Sequence, residues 1–165
     1  MKNLILKLTA LHDRVFGLLD YLQSPFLLGV RLYWGWQLSE SGWGKLHNLD
    51  KVTEFFTSLN LPMPAKMALF ISCVEFCGGI FFALGLFSRM TALVLTINMV
   101  MAYITADKEA WSSFLSNPDK FSAAAPYVFL VASVIILIFG PGKFSLDTLL
   151  RKILGIPEDR KGHGL

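Results

Sequence analysis

Arg31 and Glu75 point most directly to chemistry in this chain, because both charged side chains lie inside long apolar runs. On insertion scales an ionisable side chain at the centre of a membrane-spanning helix costs about 2.5–3.5 kcal/mol, so it usually faces the protein interior and has a polar partner. In one interpretation Glu75 binds a polar ligand or relays a proton to it, with Arg31 nearby. In the other, Arg31 neutralises Glu75 and the buried ion pair only fixes helix register. The residues alone leave both interpretations open.

Helical periodicity places further polar and small residues on the same faces. At about 100° per residue, Gly35 and Lys45 fall on the face of Arg31, and Gly79 falls on the face of Glu75, where small residues let helices approach closely. A third run contributes Asn98 at a similar depth. Glu75 and Arg31 are therefore the candidate catalytic residues, and the candidate ligand-binding residues are Arg31, Gly35, Lys45, Glu75, Gly79 and Asn98.

Other residues that often carry chemistry lie in the wrong places for it. Cys73 and Cys77 are four residues apart in one apolar run, and the projection places them opposite Glu75, facing lipid or another subunit. The three histidines fall outside the apolar runs, which argues against axial haem ligands. No spacing typical of a zinc or iron site, a phosphate-binding loop or a catalytic nucleophile is present. We therefore expect no metal, no intrinsic cofactor and no self-contained catalytic motif.

The composition is typical of an integral membrane protein. Hydrophobic residues make up 54% of the 165 residues and charged residues only 16%, and the apolar residues are bunched into long runs. The 15 Lys and Arg residues give a net charge of +3 but are scattered around those runs, so they form no basic stripe for nucleic acid. The lipid bilayer is the expected partner.

Four segments approach the roughly 20 apolar residues that a membrane-spanning helix needs, at about 24–44, 67–87, 89–106 and 124–141. Residues 1–22 place leucines at helical spacing with charges off that stripe, which predicts an amphipathic helix lying in the membrane interface. Residues 142–165 form a tail. The predicted fold is all-α, an integral membrane antiparallel four-helix bundle in a single domain of residues 1–165.

The distribution of positive charge predicts the orientation of these spans. Four crossings put both termini on one side, and Lys and Arg are more numerous on that side than in the opposite loops, at about 45–66 and 107–123. The prediction is a multi-pass protein of the cell inner membrane with both termini in the cytoplasm. Aromatic residues in the opposite loops suit short segments that rest on the outer interface.

Six short motifs occur in order along most of the chain: RLYWG (31–35), SGWGKL (41–46), LNLPMP (59–64), EFCGG (75–79), GLFSR (85–89) and GPGKFSLD (140–147). In their order and spacing they resemble the DoxX family, small four-span membrane proteins of bacteria and archaea. That group includes a subunit of an archaeal thiosulfate:quinone oxidoreductase, in which electrons from a sulfur compound pass to membrane quinone.

The resemblance implies a membrane subunit of a quinone-linked oxidoreductase or redox-stress complex, which binds a quinone or a partner through the inner helix faces. A partner protein subunit would then bring the electron-carrying centre. Two alternatives stay open: a non-catalytic scaffold or assembly factor that docks a partner protein, and a small-solute carrier or channel, which would require a homo-oligomer with a wet path past Glu75.

Overall fold

The computed structural model describes the backbone of residues 2–156 and the side chains of residues 21–156. Helices account for all its regular structure, with no strand in this part of the chain. They are α1 (Lys2–Leu46), α2 (Leu49–Ser58), α3 (Pro64–Leu84), α4 (Ser88–Thr105), α5 (Lys108–Ser112), α6 (Pro118–Ala123), α7 (Tyr127–Phe139) and α8 (Leu146–Ile153).

The longest helix differs from its prediction. We expected residues 1–22 to form a separate helix and a span to begin at Ser24 and Pro25, but α1 is continuous and Pro25 lies inside it. A proline removes the hydrogen bond of its own backbone nitrogen, yet membrane helices commonly continue through one. The predicted break is therefore wrong, and the interfacial position of residues 1–22 stays a prediction.

Among the described residues, two helices are long and apolar enough to cross a membrane: α3, with 21 residues, and α4, with 18. Their bounds lie within three residues of the predicted spans 67–87 and 89–106. The fourth predicted span, 124–141, is represented by the apolar helix α7, which has only 13 residues and is about 20 Å long at 1.5 Å per residue. Parts of the predicted outer loops form the short helices α2, α5 and α6.

The helices α1 and α3 are antiparallel and pack so closely that glycine is required between them. A Cβ atom added to Gly42 would lie 2.4 Å from the Phe76 backbone nitrogen, and one added to Gly35 would lie 2.8 Å from the Ala83 nitrogen. On the opposing helix, a Cβ atom at Gly79 would lie 2.5 Å from Ser39 Oγ. These contacts are closer than real Cβ atoms make, so the side-chain-free surface of glycine fixes the spacing of the two helices.

The remaining long helices complete the core. Contacts join α1 to α7, α7 to α4 and α4 to α3, and a cluster of fully buried apolar side chains lies among them: Leu27, Leu38, Phe82, Ala92, Leu95, Met99, Ala132 and Ile136. A smaller aromatic cluster lies at the end of α4, where Tyr103 stacks on Phe121 at 4.6 Å and donates a 2.8 Å hydrogen bond to its carbonyl oxygen.

Polar and apolar side chains are distributed in the reverse of the soluble pattern. Charged and polar residues, including Arg31, Glu75 and Asn98, are among the buried side chains. Large apolar side chains lie on the outside along the same helices, such as Phe70 in α3 and Ile97 in α4. An apolar exterior around a core with polar groups is what lipid surroundings favour.

Candidate functional site

Glu75 and Lys45 form the central ion pair. Glu75 lies in the middle of α3, and Lys45 lies in the last turn of α1, where α1 passes the same level of α3. The ammonium nitrogen of Lys45 lies 2.7 Å from Oε1 and 2.6 Å from Oε2 of Glu75. The Ser41 hydroxyl, one helical turn before Lys45, donates a longer bond of 3.4 Å to Oε2.

The two partners differ in their exposure. The side chain of Glu75 is 7% exposed, whereas that of Lys45 is 37% exposed. The carboxylate is therefore fixed in the protein interior, while the ammonium group reaches it from a partly open position. An ammonium group has three donors, and the two carboxylate oxygens occupy two of them, so one stays available for another acceptor.

The ion pair between Arg31 and Glu75, one of the two interpretations of the sequence, does not form. Because α1 and α3 are antiparallel, the residues level with Glu75 are those near Gly42 and Lys45. Arg31 precedes Lys45 by 14 positions, or about 21 Å along the helix. It lies instead at the opposite end, close to Gly85 at the end of α3.

Arg31 is completely buried and holds the segment that follows α7. Its Nη2 donates a hydrogen bond to the carbonyl oxygen of Phe144, while Nε and Nη1 have no hydrogen-bond partner within the described chain. In the same segment, Asp147 Oδ1 accepts from the Phe87 backbone nitrogen at 2.8 Å, and Oδ2 accepts from the Ser88 nitrogen at 2.7 Å. Arg31 thus belongs to a polar junction between α1, the start of α4 and α8.

A cavity of about 310 Å³ opens beside the Lys45–Glu75 pair. Its walls come from α1, α2, α3, α4 and α7 and are mostly apolar, with side chains such as Leu38, Phe55, Phe56, Ile71, Met99 and Phe129. The polar groups on its wall include Lys45, Glu75, Ser41 and Asn98. Apolar walls with a few converging polar groups, and a volume of roughly 300 Å³ or more, are typical of small-molecule sites.

Asn98 brings an unpartnered amide group to this cavity. The residue is only 8% exposed, and its Nδ2 has no hydrogen-bond partner among the residues that the structure describes. An unpaired buried donor costs roughly 1–3 kcal/mol, so a ligand that accepts its hydrogen bond gains stability by doing so.

The structure therefore divides the six candidate ligand-binding residues into two groups. Lys45, Glu75 and Asn98 line one cavity. Gly35 and Gly79 lie between α1 and α3, where the backbones touch, and Arg31 lies at the far junction. Ligand binding by any of these residues stays a prediction.

Two parts of the cavity lining were not predicted from the sequence. Ser41 lies one helical turn before Lys45, so the periodicity that selected Lys45 also indicates Ser41. The wall formed by Phe55 and Phe56 belongs to α2, which we expected to rest on the membrane interface. Nothing in the local pattern of a short amphipathic helix shows which surface its aromatic face covers.

Cys73 and Cys77 are both exposed on α3, as predicted for a face turned away from Glu75. Within residues 21–156, no group of three or more His, Cys, Asp or Glu side chains is arranged to hold a metal ion.

Comparison with known proteins gives one family match and two distant relatives. Residues 26–108 match the protein-family model named DoxX. An uncharacterized protein of Haemophilus influenzae is 27% identical over 131 residues, which cover 77% of this chain and 84% of that protein. A Bacillus subtilis protein provisionally named as an oxidoreductase, CatD, is 27% identical over 111 residues, which cover 67% of this chain and 76% of that protein. No solved structure matches the chain significantly.

Proposed function

This chain belongs to the DoxX family of membrane proteins, and we propose that it is a membrane subunit of a quinone-linked oxidoreductase, with a quinone head group bound in the cavity beside Lys45, Glu75 and Asn98. The observation that carries the proposal is the unpartnered Nδ2 of Asn98, which shares the apolar cavity with a buried ion pair. The provisional name of the Bacillus subtilis relative supports an oxidoreductase.

The charge balance of the cavity favours an uncharged ligand. Both carboxylate oxygens of Glu75 already contact the Lys45 ammonium group. An anionic ligand would have to compete with Glu75 for Lys45, and a cationic ligand would have to compete with Lys45 for Glu75. A neutral molecule with hydrogen-bond acceptors avoids both costs.

The chemistry of a quinone fits the groups that are present. Its ring and tail are apolar, as are the cavity walls, and its carbonyl oxygens accept hydrogen bonds. Asn98 Nδ2 and the third donor of Lys45 are suitable donors for these oxygens. A bound quinone would supply two-electron chemistry, with two protons taken up as it is reduced to the quinol.

The side chains that line the cavity can hold and deliver a proton but do not carry electrons. Glu75 can carry a proton next to the cavity, and Lys45 stabilises the carboxylate after the proton leaves. Electrons must come from a redox centre in a partner protein subunit, because these side chains supply none.

The proposed arrangement in the membrane has four crossings, by the second half of α1 and by α3, α4 and α7, with both termini in the cytoplasm. The part of α1 before Pro25 lies in the interface, which requires a kink of the continuous helix at this proline. Fusions of a periplasmic phosphatase and of a fluorescent protein at residue 156 and between α2 and α3 test it. Fluorescence at residue 156 and phosphatase activity between α2 and α3 are expected; the reverse pattern would contradict the arrangement.

Quinone binding can be measured directly. The protein is purified in mild detergent, its bound quinone is extracted and quantified, and binding of added ubiquinone and menaquinone analogues is titrated. Asn98→Leu keeps the side-chain volume but removes the donor, and it should weaken binding tenfold or more, which corresponds to about 1.4 kcal/mol. Glu75→Gln should leave binding within a few-fold but slow quinone reduction with the partner subunit.

The matched control is Ser133→Ala, which alters a buried polar residue of α7 that does not line the cavity. It should retain the quinone of the unaltered protein. Equal binding in Asn98→Leu and Ser133→Ala would contradict the proposed site. Protein that retains no quinone but copurifies with a stoichiometric partner would favour the scaffold function instead.

A further inference from the structure

A second, polar chamber adjoins the cavity that contains Lys45 and Glu75. It has a volume of about 650 Å³ and lies where α4 ends and the α4–α5 and α2–α3 connections meet. The cavity beside Glu75 is called the inner cavity here, and this second space the outer chamber. Four residues line both spaces: Leu59, Thr105, Ala106 and Asp107. The two spaces are therefore neighbours that share a wall.

The outer chamber is lined by charged side chains that are normally hydrated. Lys108, Glu109 and Lys120 contribute charges, and the Lys120 ammonium group lies 2.6 Å from Glu109 Oε2. The hydrogen bond and charge of Lys120 keep the pKa of the Glu109 carboxyl below its usual value. Both residues lie beyond the end of α4, so this chamber faces the aqueous side of the membrane boundary.

The polarity changes in steps from the outer chamber to the inner cavity. Asp107, half-buried, lies on the shared wall next to Thr105 and Ala106. Asn98 lies seven residues before Thr105 in α4, about 10 Å deeper. Lys45 and Glu75 complete the series. Asn98, Lys45 and Glu75 thus line the inner cavity, whose wall at Thr105 and Asp107 is shared with the outer chamber.

We propose that the outer chamber is the aqueous entrance to the inner cavity, and that water and protons reach the Lys45–Glu75 pair through it, past Asp107. This inference deepens the proposed function, because it states from which end the site takes its protons. A small water-soluble reagent should follow the same route and should be stopped by a large side chain on the shared wall.

Thiol labelling of the full-length protein in lipid nanodiscs tests the entrance. Cys73 and Cys77 are first replaced by serine, and Ser41→Cys or Ala102→Cys then places a thiol in the inner cavity, since both positions line it but not the outer chamber. The probe is a small, permanently cationic methanethiosulfonate, and mass spectrometry measures the labelling rate. Ser133→Cys is the matched control, because Ser133 is buried in α7 and lines neither space.

The expected result is labelling of Ser41→Cys or Ala102→Cys at least tenfold faster than Ser133→Cys. Adding Ala106→Trp places a large side chain between the outer chamber and the inner cavity and should slow labelling of the cavity thiol at least tenfold. Adding the exposed change Ser112→Trp should not slow it. Having two cavity positions covers the case in which one variant does not fold.

Two outcomes would overturn the entrance: cavity thiols that react no faster than the Ser133→Cys control, and fast labelling that Ala106→Trp leaves unchanged. Neither depends on a bound quinone. Protein that retains quinone while its cavity excludes the reagent would refute the entrance and leave the proposed function standing. An accessible cavity that binds no quinone would refute the proposed function alone.

Discussion

At the scale of the residue, Glu75 is a buried carboxylate whose charge is balanced by the ammonium group of Lys45, so the stability of the protein should depend on Lys45. Lys45→Met keeps an unbranched side chain but leaves the carboxylate with only the 3.4 Å contact to Ser41. We expect the free energy of unfolding to fall by about 1–2 kcal/mol, a value reduced because Lys45 is partly exposed. Denaturation in mixed detergent micelles measures it.

A double-mutant cycle separates the ion pair from the packing of its members. Glu75→Gln should cost less in the Lys45→Met background than in the unaltered protein, because the charge that it removes has already lost its partner. Lys51→Met, an exposed change in α2, is the control and should leave stability within about 0.5 kcal/mol. Strict additivity would contradict a stabilising contact between Lys45 and Glu75.

The polar residues of the helix interior could be predicted from sequence better than their contacts. Arg31, Glu75 and Asn98 stand out because charged and amide groups are costly in apolar runs, and helical periodicity adds Lys45. The partner of Arg31, however, is a backbone carbonyl 113 positions away, and a helical projection contains no information about such contacts. The choice of Lys45 for Glu75 depends on the register between α1 and α3, which the glycines set in three dimensions.

At the scale of the element, the contact between α1 and α3 offers a sharp test with two glycines of one helix. Gly42→Ala places a methyl group within about 2.4 Å of the α3 backbone, whereas Gly44→Ala meets nothing within 4 Å. The first should destabilise the protein by about 1–3 kcal/mol through overpacking. The second should be neutral or up to about 1 kcal/mol stabilising, through the higher helix propensity of alanine. Equal midpoints of thermal unfolding in Gly42→Ala and Gly44→Ala would contradict the close contact between α1 and α3.

The start of α4 depends on a residue outside that helix. Asp147 accepts hydrogen bonds from the Phe87 and Ser88 backbone nitrogens, and its negative charge lies at a helix N-terminus. Asp147→Asn keeps one acceptor but removes the charge, and we expect a loss of about 0.5–2 kcal/mol. Limited proteolysis should also cut residues 140–156 several-fold faster. Glu54→Gln, at an exposed position in the middle of α2, should change neither quantity.

The helices themselves could be predicted to different degrees. The bounds of α3 and α4 follow from apolar length and from the turn signals around Gly85 and Ser88, so the predicted spans fall within three residues of them. The continuity of α1 could not be predicted, because a serine followed by a proline is also a common start of a helix. The role of α2 as a cavity wall depends on tertiary contacts alone.

At the scale of the whole molecule, the apolar exterior predicts how the exposed cysteines react. Cys73 and Cys77 lie on the outer surface of α3, which is long and apolar enough to cross a bilayer. In native membranes they should react at least tenfold faster with a lipid-soluble maleimide than with a charged, membrane-impermeant one. Mass spectrometry of the two labels measures the ratio, and Ser112→Cys, at an exposed position of α5, supplies the control with the opposite preference. Rapid labelling of Cys73 by the charged reagent would contradict a lipid-facing α3.

The contact between Arg31 and Phe144 also sets an order of events during synthesis. The guanidinium group belongs to α1, but its acceptor is made 113 residues later. At about 5–20 residues per second, this is a delay of roughly 6–23 s. During this interval α1 carries a buried cation whose hydrogen-bond acceptor, the Phe144 carbonyl oxygen, has not yet been made. A nascent chain that is released before residue 144 therefore lacks this contact. Such truncated chains should be degraded by quality-control proteases.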